Sequence, residues 1–168
     1  MGELIDHILS THHRYLKAQL PHLSARAAEV EAGAGQLPAA ADVTRVLRDL
    51  REELEAHLMK EEMVLFPMVR GMEAAEAAGG GCPPMHCGSV RNPIRVMSME
   101  HDSAHAALGE LRRLTGGYAL PENAGDALRS FYGELQELEA DLELHIGLEN
   151  DILFPRAVEL EAHLFAGR

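Results

Sequence analysis

The chain has 168 residues, 46% of them hydrophobic, and a formal net charge of −12, which suits one domain around a single core and excludes phosphate-backbone recognition, so no nucleic-acid partner is expected. No run of about 18 apolar residues is present, which argues against a membrane span. With Glu3, Asp6 and His7 where a secretory signal would need an apolar block, the expected location is cytoplasmic.

Residues 3 to about 31 carry Ile5, Leu9, Leu16, Leu20 and Leu23 at helical spacing, with His13 in the gap between Leu9 and Leu16. His13 is therefore expected on the buried stripe, and His12, about 100° round the helix, on another face. Pro21 should kink this helix, and the stretch from Ala32 to Gly35, followed by Pro38, should end it. A second helix is expected from Ala41 or Asp42, with Val43, Val46 or Leu47, Leu50, Leu54, His57, Glu61 and Leu65 in line. Pro67 should kink it near Met63, and the glycines from Gly79 to Gly81 should stop it.

The loop from Cys82 to Pro93 leads to a third helix, with Asn92 as the expected N-cap and Pro93 in its first turn. Cys82 and Cys87 are too few and too close for a disulfide framework; with His86 they offer a metal or redox site, or a loop carrying reduced thiols. Ile94, Met97, His101, His105 or Ala104, Leu108 and Leu111 line the third helix up to Gly116 and Gly117. The fourth opens near Pro121 and carries Phe131, Leu135, Leu138, Leu142, His145, Glu149 and Ile152. Four helices joined by short turns predict an all-α, up-down-up-down antiparallel four-helix bundle, a single domain over 1–168.

One stretch occurs twice. His57, Glu61, Leu65, Phe66 and Pro67 recur as His145, Glu149, Leu153, Phe154 and Pro155, an offset of 88 residues that also relates His13 to His101 and Leu20 to Leu108. The bundle is thus expected to be an internal two-fold pseudo-repeat, about 1–76 and 93–165, with loop 77–92 between. Each helix then contributes an imidazole to an apolar stripe, and two helices add a carboxylate. One such histidine is compatible with a hydrogen-bonded core imidazole. Four of them with Glu61 and Glu149 are not, because two buried carboxylates that face each other need positive charge between them. A pair of metal ions supplies it. The His-x-x-x-Glu spacing puts both side chains on one face about 40° apart, so each glutamate is expected to bridge the pair. Imidazole with carboxylate suits iron, manganese or zinc.

The single histidine of helix one, the two HxxxE segments that end in Leu-Phe-Pro, and Glu100-His101-Asp102 resemble the hemerythrin-like cation-binding domain. Within it they are most similar to the di-iron repair-of-iron-centres family. The resemblance implies two Fe ions with an oxo or hydroxo bridge, with His13, His57, His101 and His145 as terminal ligands and Glu61 and Glu149 as bridges. It further implies help in repairing iron–sulfur clusters damaged by nitrosative or oxidative stress, by iron donation or chemistry on NO, and so iron–sulfur proteins as partners.

Members of that family often carry a short domain with adjacent cysteines ahead of the bundle, whereas this sequence opens on helix one. His105, one turn after His101, makes a pair like that of oxygen-binding hemerythrins. As a ligand it would give one ion His101, His105 and His145, and leave the other with His13 and His57 and an open position for O2, NO or peroxide. That makes a hemerythrin-like O2 or NO carrier or sensor the alternative; otherwise His105 lines the pocket or faces a helix flank. Glu53 and Asp141, one turn before His57 and His145, either accept the second imidazole N–H or lie on solvated flanks.

Overall fold

A computed structural model describes residues 1–32, 39–84 and 87–166, and among these the regular structure is all helical. The helices are α1 (Gly2–Ile8), α2 (Arg14–Ala32), α3 (Ala40–Lys60), α4 (Phe66–Ala77), α5 (Arg91–Leu114), α6 (Asp126–Leu148) and α7 (Phe154–Ala166). Three π turns, Leu9–His13, Glu61–Leu65 and Glu149–Leu153, join α1 to α2, α3 to α4 and α6 to α7. The backbone stays helical through each junction, so the seven segments form four rods.

The second and third π turns end just before Phe66-Pro67 and Phe154-Pro155. Proline has no N–H for the carbonyl four residues back and its ring crowds that carbonyl, so the turn before it widens instead of closing as α-helix. The expected kink near Met63 is this π turn. Pro21 lies within α2, which runs on to Ala32. The stop expected from Gly33 to Pro38 lies outside the described residues.

Boundaries elsewhere shift by a few residues. Helix α5 begins at Arg91 after Val90, because buried Glu161 accepts from Val90 N and Ser89 Oγ, both at 2.8 Å, and fixes the start there. Helix α6 begins at Asp126, later than Pro121. Gly116 and Gly117, at φ of 61° and 73°, reverse the chain after α5 in a backbone region that other residues seldom adopt.

Two apolar clusters make up the core. One gathers Leu16, Leu20, Leu47, Leu54, Leu108, Leu135 and Leu142 with their neighbours; the other gathers Ile5, Ile8, Leu65, Phe66, Met97, Leu153 and Phe154. Each fully buried Leu, Ile or Phe contributes about 1.5–3 kcal/mol. Along every rod the passage from one cluster to the other is marked by a buried polar residue: His13 between Ile8 and Leu16, Glu61 between Leu58 and Leu65, His101 between Met97 and Ala104, and Glu149 between Ile146 and Leu153. A polar layer therefore divides the apolar interior.

Candidate metal centre

That layer holds six side chains from four rods: His13, His57, Glu61, His101, His145 and Glu149, none more than 2% exposed. They fall into two groups, His13 with His145 and His57 with His101, each completed by both Glu61 and Glu149; within a group the ligand atoms all lie within 4.8 Å of one another. Glu61 Oε2 is 3.3 Å from His13 Nε2 and 3.4 Å from His57 Nε2. Glu149 places Oε2 3.1 Å from His101 Nε2 and Oε1 3.3 Å from His145 Nε2. Close as these atoms are, the four carboxylate oxygens and Nε2 of His13 and His145 are outside hydrogen-bonding geometry. Each such buried polar atom costs about 1–3 kcal/mol when it is left without a partner.

The far nitrogens explain why. His13 Nδ1 meets Glu62 Oε1 at 2.8 Å, His57 Nδ1 meets Glu100 Oε2 at 2.9 Å, and His101 Nδ1 meets Asn150 Oδ1 at 3.0 Å. All three partners are acceptors, so each Nδ1 donates its proton and a neutral ring keeps a bare lone pair on Nε2. Lys17 holds Glu62 in place at 2.6 Å, and Lys60 pairs with Glu100. With both rings in that neutral tautomer, His57 and His101 turn two lone pairs toward each other across 3.2 Å. Lone pairs at that distance repel unless a cation lies between them, and this is the observation that fits a metal best.

The electrostatics agree. Burial lowers His57, and lowers His13 to about 4 despite its hydrogen bond to Glu62, so both imidazoles are neutral and ready to ligate. Burial, and then the charge of Glu149, raises Glu61 well above the carboxylate range. At Glu149 burial pushes the same way, but His101 and His145 outweigh it and the net shift is downward. Without a cation, therefore, the two carboxyls hold one proton on Glu61, which a bound metal ion would displace.

His105 is not brought into this layer. Its side chain is exposed, and Ala104 takes the buried position. The pairing of histidines also differs from the one a ligating His105 implies: His145 groups with His13, and His101 with His57. The supporting carboxylates come from neighbouring rods instead of one turn back. Glu53 is exposed, and Glu100 serves His57 in its place. Asp141 accepts from His12 Nδ1 at 2.9 Å instead of serving His145.

Sequence reasoning missed His12 as a core residue. It is 4% exposed and stacks on His145 with ring centroids 5.4 Å apart and planes at 3°. The π turn from Leu9 to His13 alters the angular count on which its outward placement rested. The signal that would have found Glu62, Glu100 and Asn150 is the offset of 88 residues, which relates Glu62 to Asn150 and Glu100 to His12. Cys82 is buried in the second apolar cluster and Cys87 is half-buried; among the described residues neither joins a ligand group, and His86 lies outside them. Phe66 and Phe154 wall the layer on one side, at 5.5 Å from His13 and 5.8 Å from His101.

Among the described residues no helix is long and apolar enough to cross a membrane. Residues 4–157 match the hemerythrin HHE cation-binding domain. The iron–sulfur cluster repair protein YtfE of Escherichia coli O81 (strain ED1a) is 37% identical over 159 residues, 94% of this chain and 66% of its own length. YtfE of Escherichia coli O1:K1 / APEC and YtfE of Escherichia fergusonii are each 36% identical over the same extent. The chain thus spans 66% of the length of these relatives. A cation-binding domain over nearly the whole chain and a buried layer of unsatisfied imidazole and carboxylate donors agree: the chain belongs to the hemerythrin HHE cation-binding family.

Proposed function

We propose that this chain is a non-haem di-iron protein that assists the repair of iron–sulfur clusters damaged by nitrosative or oxidative stress. The observation that carries the reading is the pair of ligand groups sharing Glu61 and Glu149, each with two imidazoles. His13 and His145 would hold one iron and His57 and His101 the other, with both glutamates bridging. Bound iron would supply affinity for NO or O2 and, as cargo, the metal that a broken cluster has lost. The protein's own contribution is to keep His13 and His57 neutral through burial, orient three of the four imidazoles through Glu62, Glu100 and Asn150, and exclude water with Phe66 and Phe154.

The likeness to cluster-repair proteins in Escherichia supports iron–sulfur proteins as partners. Contacts of α2 with α3, α1 with α4, and α2 with α6 support an up-down-up-down bundle. The π turns at Glu61–Leu65 and Glu149–Leu153, related by the repeat offset, support descent from a duplicated helix pair. The alternative, a carrier or sensor of O2 or NO, drew on His105 as an extra nitrogen ligand, and its exposed imidazole gives that reading no support.

The test uses an NO-damaged [4Fe–4S] hydro-lyase incubated with the iron-loaded protein. Recovery of activity, matched by loss of iron from this protein and absent with a Glu61→Ala, Glu149→Ala variant, is expected. No recovery from fully loaded wild type overturns the reading.

A further inference from the structure

Three of the four imidazoles are fixed at Nδ1 by an acceptor on a neighbouring rod, and the fourth is not. His145 is fully buried, yet no described group accepts from its Nδ1. The offset of 88 residues supplies an internal control. His57 corresponds to His145, and the residue that serves His57 is Glu100; the position corresponding to Glu100 is 12, which carries a histidine. His12 does not replace the missing acceptor. Its ring lies parallel to that of His145, whose N–H points along the ring plane and not toward the stacked face. Its own Nδ1 engages Asp141 Oδ1, the carboxylate one turn before His145, while Asp141 Oδ2 stays buried without a partner. One substitution relative to the repeat thus removes an acceptor from His145 and engages the carboxylate one turn before it.

Acceptors behind metal-bound imidazoles raise donor strength and lock ring orientation, and loss of one typically costs 10–100-fold in metal affinity. The group built on His57 and His101 has both rings anchored, by Glu100 and Asn150. The group built on His13 and His145 has one, through Glu62. Glu61 and Glu149 are common to both groups and cannot distinguish them.

We propose that the two metal positions are inequivalent, that the His13–His145 position is the exchangeable one from which iron is delivered, and that His12 sets this difference. The inference rests on the di-iron reading above and names which ion of the pair is cargo. His12 acts as a positioning residue; the chemistry that recognises the ion remains that of the ligands. The His57–His101 ion stays behind and preserves the layer while its neighbour exchanges.

The test loads the full chain anaerobically with ferrous iron and follows transfer to excess bipyridyl. Wild type should bind two irons and release them in two phases of equal amplitude, with rates about 10–100-fold apart. The His12→Glu, Asp141→Asn variant, which restores the acceptor without a repelling neighbour, should slow the fast phase toward the slow one at unchanged stoichiometry. Glu100→Gln should instead speed the slow phase, and thermal unfolding of each loaded variant reports that the fold is intact. Two irons leaving wild type in one phase overturn the inference, as does a fast phase that His12→Glu, Asp141→Asn leaves unchanged. Fewer than two irons bound to wild type overturns the di-iron reading itself, so the two failures are distinguishable.

Discussion

If the polar layer exists to hold cations, it must weaken the metal-free protein, and that cost is measurable. Replacing Glu61 and Glu149 with Met removes two buried carboxyls whose four oxygens lack hydrogen bonds and substitutes unbranched side chains of similar length. Buried ionic groups exchanged for apolar ones of like volume commonly leave a protein unchanged or more stable by about 1–4 kcal/mol. For a chain of this length each kcal/mol moves the melting temperature by about 2–4 °C. The metal-free double variant should therefore melt several degrees above metal-free wild type. Adding ferrous iron should reverse the order, since a ligand at 100 times its Kd stabilises by about 2.7 kcal/mol per site and the variant has lost the shared ligands of both sites. Calorimetry with and without iron makes the comparison. A metal-free variant less stable than metal-free wild type would refute the reasoning, because the carboxyls would then be satisfied within the protein and need no cation.

Further outcomes follow from the same geometry. His13, lowered to about 4 from 6.5, binds fewer protons folded than unfolded in that window, so its contribution to metal-free stability falls as pH drops from about 6.5 to 4, by roughly 3 kcal/mol in total. Denaturant titrations from pH 7 to 4 should show a flatter profile for His13→Gln than for wild type. Because Glu61 is raised, iron binding should release a proton and tighten as pH rises, which calorimetric titration in buffers of different ionisation enthalpy measures. Glu62→Gln should weaken iron binding about 10–100-fold, whereas Glu53→Gln, on an exposed side chain, should leave it unchanged. His105→Ala should alter neither iron content nor the optical spectrum of the loaded protein.

The six residues of the layer were legible in the sequence because each breaks an apolar stripe at helical spacing and all six recur in pairs at one offset. A polar residue that interrupts leucines is a signal that survives without coordinates. What lay beyond one helix was not legible. Glu53 and Asp141 were reasonable supports by local spacing, but an imidazole whose Nε2 faces the bundle centre points Nδ1 sideways, toward the adjoining rod, where Glu100 and Glu62 reside. A regular helix through Leu9–His13 would turn His12 outward, and nothing in that stretch signals its π turn. The other two π turns had a cue in Pro67 and Pro155. Which histidines lie together depends on how the rods pack, so the grouping that follows from a ligating His105 differs from the one observed.

The most direct test of the central claim is a crystal structure of the protein purified with iron, paired with metal analysis of the same sample. The account predicts two ions per chain, one on His13 and His145 and one on His57 and His101, with Glu61 and Glu149 spanning both and His105 in solvent. Finding these six side chains around no metal, or a single ion held elsewhere, would contradict it.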